Sequence, residues 1–585
     1  MIMRNRVLAV AAILTVTLAG VSTSTMAGTE AGGHDPGRFD RPWHGFAPAD
    51  TRLREATPEQ AGLDPEPIRA TERRLTGWTR ADPQTGHPLF AGSVGTLVHA
   101  GMVVDTHTAG SAVRYADGAG TELPESEQVP MRTDTIFDLA SISKLFTSIA
   151  VLQLVEEGRI ELDAPAARYL PEFGVNGKES ITVQQLLTHT SGLEPFLPLW
   201  RDWPDEESRI RAVMEVAPKQ QPGSAYEYSD LNLITLGVLV ERLRGRGLDE
   251  VVAARITEPL GMTDTGYNPP AAKLDRVAAT EYQENPPRGM VRGEVHDENA
   301  WSLGGVAGHA GVFGTARDLA VLGQAILNGG SYGGERVLRP DTVRSMLTNY
   351  NQEFPGDAHG LGFELDQLWY MGGLASPDTA GHTGYTGTSL VIDPKSRSIA
   401  VLLTNRVHPS RSWGSVNPAR RAWATGLARA LAVRPLRGED SWFTGVGSSG
   451  TATLTTRPFT VRRGPALVRF DAFVDSEVTD RLVLEASADG ATWDTVSLRV
   501  FGHGAPGGRV DALSGYGHRA WWHAYAVVPQ MGEQTLRWRF TTDQYYSGRG
   551  IHIDTIRVGD FHGTILDGER EPAAFTEVGW ELRTR

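Results

Sequence analysis

The sequence predicts a chain in two parts, a mixed helix-and-strand portion followed by an all-β sandwich. Three observations carry this. Leu145, Phe146, Ile149, Leu152 and Leu154 recur at the helical period, with Gly158 as a stop. Ser389–Ile392 and Ser398–Leu403 read as two strands around an Asp-Pro-Lys-Ser turn, and Pro418 to Val433 reads as a helix. Beyond about Arg434–Asp440 the pattern becomes strict alternation in Leu467–Phe473, Arg481–Ser487 and Leu536–Phe540, with Asp489-Gly490 as a hairpin turn. At 585 residues one core is too little, so two or three domains are expected.

The first helix carries the chemistry. Ser141 and Lys144 stand three apart at its start and so share a face, which puts a nucleophile beside a base. The free N–H groups of a first helical turn favour a developing oxyanion. A lysine serves as base only when its surroundings lower its pKa. Lysine is scarce: Lys144, Lys178, Lys219, Lys273 and Lys395 are the five in the chain, and one falls where a base is needed.

Two further motifs follow in order. Tyr228-Ser229-Asp230 lies within Tyr226–Asn232, and His382-Thr383-Gly384 lies within Gly381–Pro394. With Ser141-x-x-Lys144 they resemble the serine β-lactamase and penicillin-binding protein superfamily, in the class C-like branch that also holds D,D-peptidases and esterases. Leu186–Leu193, Val295–Ala300, Gly305–Phe313 and Thr404–Pro409 are similar to stretches of that branch, so the resemblance covers roughly residues 50 to 436. It implies an α/β (α+β) β-lactamase-like domain, an antiparallel sheet flanked by helices. Catalysis would rest on Ser141, Lys144 and Tyr228, and substrate binding on Asp230, His382, Thr383, Gly384 and Tyr385. The resemblance also implies an oxyanion hole from the Ser141 and Tyr385 N–H groups, and a Tyr228 phenol made more acidic by Lys144. Whether Lys144 or Tyr228 is the principal base stays open.

Two residues depart from the family pattern. Asp230 stands where an asparagine is usual; an aspartate keeps Lys144 charged and raises its pKa. His382 stands where lysine is common, and a histidine holds a carboxylate only while protonated, so anion recognition is expected to weaken above a pKa near about 6.5.

The remaining motifs have plainer readings. His189, His296 and His309 are expected to be hydrogen-bonded loop residues, Tyr226 to pack in the core, and no ligand spacing suggests a metal. Gly329-Gly330-Ser331-Tyr332-Gly333 matches a nucleophile-elbow pattern but follows a helical run, so it reads as a helix-terminating loop. No cofactor is implied.

Residues 1–27 read as a secretory signal peptide, 28–50 as a flexible lead-in, 51–436 as the hydrolase domain and 437–585 as the sandwich. No later run spans a bilayer, and without cysteine there is no disulfide and no cysteine-linked lipid. A formal charge of −14 argues against nucleic acid or anionic lipid as partners.

The C-terminal part resembles the jelly-roll modules of secreted hydrolases, through Ser487–Trp493 and Gly550–Ile556. Six tryptophans fall there (Trp442, Trp493, Trp521, Trp522, Trp538, Trp580), mostly for core packing. Trp521 and Trp522 would face opposite ways on a strand, so one of them is the candidate for a cell-wall or glycan contact.

The expected protein is a secreted, extracellular or periplasmic, serine hydrolase that forms an acyl-enzyme on Ser141. Its substrates would be D-amino-acid peptides, β-lactams or small esters. The alternative is a catalytically idle receptor, whose mark would be loss of Ser141 or Lys144; neither is lost.

Overall fold

The computed structural model describes residues 37–585. The expected signal peptide, 1–27, lies outside the described residues. A central sheet is formed by β1 (Gly92–His99), β2 (Met102–Val113), β3 (Ala380–Thr383), β4 (Ser389–Asp393) and β5 (Ser398–Thr404), in the order β2-β1-β5-β4-β3. These neighbours are all antiparallel. Strands β4 and β5 are buried along their whole length, which explains why they read as continuous apolar runs rather than alternating ones.

The two faces of the sheet feed two cores by strict alternation. Ile399, Val401 and Leu403 join a core with α2 (Ser143–Glu156), α3 (Asp230–Arg244) and α4 (Ala316–Leu327). Ala400 and Leu402 join a second core with α1 (Pro65–Trp78) and α5 (Asn417–Ala430). Helix α2 is buried all round from Ser143 to Leu154, so it is a core helix and not the amphipathic element its start suggested. Gly95 marks where α5 meets the sheet; a Cβ there would lie 2.5 Å from the Trp423 ring.

Residues 441–585 form two further sheets around a separate core. The larger contains β6 (Ser441–Thr444), β8 (Ala466–Asp475), β10 (Leu498–Phe501), β11 (Arg509–Val510), β12 (Tyr516–Val528) and β14 (Gly550–Asp560), in the order β11-β10-β12-β8-β14-β6. The smaller contains β7 (Thr451–Thr456), β9 (Arg481–Ser487) and β13 (Gly532–Thr541). Asp489 accepts the N–H groups of Ala491 and Thr492, closing the expected turn with Gly490 at φ 72°.

The seam between the two parts is dry and charged. Asp393, at the end of β4, and Arg519, on β12, are both fully buried and pair at 2.7 Å. Arg549 donates to the carbonyls of Ala428 at 3.0 Å and Leu431 at 2.9 Å, at the end of α5. Residues 36–585 accordingly behave as one compact unit.

Three expectations are corrected here. The flexible lead-in, 28–50, is firmly held where it is described: Phe39 is fully buried with Arg519 4.1 Å over its ring. The amides of Phe39, Trp43 and Ala47 donate to Ala432, Lys395 and Leu327. Neither adjacent tryptophan is a free surface contact. Trp522 is in the sandwich core, and Trp521 packs into the seam against Phe473, with centroids 5.9 Å apart. The boundary near 436 is a change of core, but a fragment ending there would leave Asp393 without its cation.

Breaking a buried ion pair from one side costs far more than an exposed one is worth. Arg519→Ala should therefore destabilise the whole chain by about 3–5 kcal/mol in equilibrium denaturant unfolding. Arg583→Ala, whose salt bridge to Glu581 is partly exposed, should cost less than about 1 kcal/mol for that bridge.

Candidate active site

Ser141 is presented by a tight, heavily pinned turn. Just before it, the short strand Phe137–Asp138 pairs with Val312–Gly314. The buried Asp138 carboxylate then accepts the Ala140 N–H at 2.8 Å and the His296 N–H at 2.6 Å. Ala140 takes φ 47°, an uncommon region for a residue with a Cβ, so the surroundings over-determine this conformation. One turn of 3-10 helix, Ala140–Ile142, leads directly into α2.

Lys144 lies one turn on, 1% exposed, and its three N–H groups have three acceptors: Ser141 Oγ at 2.9 Å, Asp230 Oδ1 at 2.8 Å and the His309 carbonyl at 3.1 Å. Burial works to lower its pKa, but Asp230, followed by Tyr228, outweighs burial and holds the ammonium above the ordinary lysine value. This is the effect expected of an aspartate at 230. Tyr228 sits with its ring centroid 4.9 Å from Lys144 Nζ. Its phenol does not behave as the family resemblance implied: burial, the largest influence, raises its pKa, and Asp230 adds to that against the lowering by Lys144.

His189 positions Tyr228. The two rings stack with centroids 4.5 Å apart, and His189 Nδ1 accepts the Ser229 N–H at 3.1 Å. Burial keeps this imidazole neutral, its pKa well below the usual value. His296 bonds Glu281 at 2.9 Å and His309 bonds Asp297 at 2.9 Å, so all three loop histidines are hydrogen-bonded. Tyr226 is half-buried against His189 and His359.

Asp230, Asp297 and His309 bring ligand-type atoms within 4.8 Å of one another. Lys144, on both Asp230 and the His309 carbonyl, already places a cation there, so this donor set does not fit a metal. Ser331 follows α4, is 1% exposed and starts a two-residue strand, so it is no nucleophile elbow.

The third motif closes the site. Strand β3 ends at Thr383, and Gly384 N–H donates to the Thr388 carbonyl at 2.8 Å across a turn. Thr386 and Thr388 hydroxyls donate to the carbonyls of Asp138 and Leu139, tying the turn to the segment before Ser141. A Cβ on Gly384 would lie 2.3 Å from the Leu139 carbonyl, so the approach requires glycine. Ser141, Tyr228, His382, Thr383, Gly384 and Tyr385 line one cavity of about 410 Å³.

His382 is the main correction. It is 1% exposed, and burial first, then Lys144, lower its pKa to about 3. Its Nδ1 lies 2.8 Å from the Thr383 carbonyl and so carries the proton of a neutral ring. It supplies no positive charge to a substrate at neutral pH.

The positive charge comes from residues the motifs did not show. Arg420, on α5, lines the cavity and donates to Asn417 Oδ1 and to the carbonyls of Gly384 and Thr388; burial pulls its pKa down to about 9, still above neutral pH. Arg406 lies over the half-exposed Tyr385 ring at 4.6 Å. Glu364 also faces the cavity, with its carboxyl pushed up to about 7 by burial. Only the helical pattern of 418–433 signalled Arg420, and nothing local marked Glu364.

A half-buried serine bonded to a buried lysine beside a strand-edge cavity is the arrangement an acyl-transfer site requires. Residues 64–424 match the Beta-lactamase family model, and the chain belongs to that family. It is a serine hydrolase of the β-lactamase and penicillin-binding type. A protein of Escherichia coli strain K12 named "Putative D-alanyl-D-alanine carboxypeptidase" is 34% identical over 400 residues, covering 63% of this chain and 88% of that one. A Salmonella agona protein of the same name is 34% identical over 415 residues, covering 65% and 91%. A solved penicillin-binding protein homologue from Caulobacter crescentus is 24% identical, with a TM-score of 0.48, covering 63% of this chain and 99% of that one.

With His382 neutral and Glu364 ionising at about 7 in the same cavity, His382→Gln should leave the pH dependence of KM for an anionic substrate unchanged from pH 5 to 8 in steady-state assays. A rise in KM centred near pH 6.5 that disappears in His382→Gln would return anion recognition to His382.

Proposed function

We propose that the protein is a secreted D,D-carboxypeptidase-type hydrolase, cleaving peptides that end in D-amino acids through an acyl-enzyme on Ser141. The observation that carries this reading is the Lys144 ammonium 2.9 Å from Ser141 Oγ, in a cavity whose far side presents Arg420 and Arg406. A fixed guanidinium suits a terminal carboxylate. The names of the 34% identical relatives support the same substrate class. Hydrolysis of small esters would use the same centre. The receptor alternative gains nothing, because Ser141 and Lys144 are present and in contact.

At rest Lys144 is charged and donates to Ser141 Oγ, so it holds no lone pair for the serine proton. The reactive form is therefore the one in which the Lys144–Tyr228 pair has lost a proton. That pair takes the serine proton as Oγ attacks the carbonyl carbon, and returns it to the leaving amine. The Ser141 and Tyr385 N–H groups would hold the oxyanion. Donors of this kind typically lower a barrier by about 3–4 kcal/mol each. Water then hydrolyses the acyl-serine by the same proton path in reverse.

Intact-mass analysis after exposure to a fluorescent penicillin or a chromogenic ester should place a single acyl group on Ser141, and Ser141→Ala should abolish it without altering the unfolding midpoint. Label on any other serine would sink the proposal. Lys144→Ala and Tyr228→Phe should each lower kcat by about 10²–10⁴. Asp230→Asn removes the negative charge that raises both pKa values, so the acidic limb of the rate profile should move to lower pH. An unmoved limb would uncouple Asp230 from the base.

A further inference from the structure

The outer face of the larger sandwich sheet carries an arrangement that packing does not explain. Register places Arg557 opposite Arg469, Arg469 opposite Tyr525, Tyr525 opposite Arg499, and Arg499 opposite Arg509. One straight row across β14, β8, β12, β10 and β11 thus reads Arg-Arg-Tyr-Arg-Arg. Neighbouring strands lie about 4.8 Å apart, so the row is roughly 19 Å long. The residues on either side of each member in β8, β10 and β12 are buried, so the row points away from the sandwich core.

Like charges directly opposite one another destabilise a sheet. Here that happens twice, at Arg469–Arg557 and at Arg499–Arg509. Arg557 pairs with Asp567 at 3.2 Å, but Arg469, Arg499 and Arg509 make no ion pair among the described residues. Asp560, at the rim of the groove, is already engaged by the backbone N–H groups of Arg462, Arg463 and His562. Three of the four cations are therefore without an ion pair, on a chain that carries −14 overall.

The row lies in a groove of about 720 Å³ whose adjacent residues are apolar and exposed: Leu467 and Val527 stand opposite each other, 51% and 47% exposed, beside Tyr525 at 48%. We infer that this groove binds an acidic polysaccharide, with carboxylates or phosphates on the paired arginines and an apolar sugar face on Tyr525, Leu467 and Val527. Sparse charge with apolar faces between suits the Arg-Arg-Tyr-Arg-Arg order. A nucleic acid carries a phosphate on every unit, a denser charge than this spacing matches. Of the adjacent tryptophans Trp522 serves the core and Trp521 the seam, whereas the arginine row lies on the opposite side of β12 from the sandwich core.

The full-length protein should be titrated at low salt with hyaluronan oligomers, in which a uronate alternates with an uncharged sugar, with a sparsely phosphorylated mannan, with a neutral glucan and with poly-dT, by calorimetry. Binding to at least one acidic glycan polymer and none to the glucan is expected; which of the two binds tells carboxylate from phosphate. Arg469→Glu with Arg499→Glu should weaken that binding at least tenfold, roughly, and flatten its salt dependence. Arg469→Gln with Arg499→Gln should weaken it less and leave the unfolding midpoint equal or higher, since a like-charge contact is relieved. Hydrolysis of a small ester should be unchanged in all. The inference is overturned if neither acidic glycan binds, if the double glutamate variant binds like the parent, or if poly-dT binds more tightly than both glycans.

Discussion

The buried ammonium of Lys144 is the constraint on which the site depends. A charged amine out of water has three N–H groups to satisfy, and leaving one unmatched is expensive. Its acceptors come from three places: its own helix start, the first residue of α3, and the loop at His309, 165 residues further along the chain. The hydrophobic core holds α2 and α3 together, but the ammonium fixes their register. Asp297 on His309, His189 beneath Tyr228 and Asp138 on the backbone of Ala140 and His296 then each secure one of these acceptors or its neighbour.

A second buried charge pair makes the sandwich part of the same construction. Strand β4 begins at Ser389, next to the turn that faces Ser141, and ends at Asp393, which Arg519 holds from the sandwich. Four steps of extended chain, about 13 Å, separate Ser389 from Asp393. No flexible linker intervenes, and the segment around Phe39 fills the remaining space beneath Arg519. Whatever the sandwich grips is therefore held at a fixed distance and angle from the catalytic cavity.

Much of this was legible in the sequence because it is local. Ser141 and Lys144 meet through helical spacing, β4 and β5 through apolar runs around Asp-Pro-Lys-Ser, and the sandwich strands through alternation at Leu467–Phe473 and Arg481–Ser487. What was not legible depends on pairing across distance. Arg519 and Asp393 are 126 residues apart, and nothing near either announces the other. The lead-in looked flexible because it lacks periodicity, yet a single buried phenylalanine and three backbone hydrogen bonds hold it without any. The arginine row could not be read at all, because a row across five strands exists only once register is known. His382 failed for another reason: its motif gives the residue type, whereas its charge follows from burial, which a motif does not encode.

Asp230 separates two tasks that one lysine-rich site would otherwise combine. With an amide at 230, the Lys144 charge would extend into the cavity and serve both the serine and an incoming carboxylate. The aspartate pairs with it at 2.8 Å, so the net charge beside Ser141 is smaller than a lone ammonium would give. In the proposed reaction recognition of an anion comes from elsewhere, and Arg420 and Arg406 line the same cavity, Arg420 through the turn that also packs on Leu139. Because Arg420 donates to the Gly384 and Thr388 carbonyls, the cation that would bind the substrate also shapes the strand edge presented to its backbone. In the proposed reaction binding and acylation share one turn while drawing on different charges, so the imidazole at 382 need not be charged.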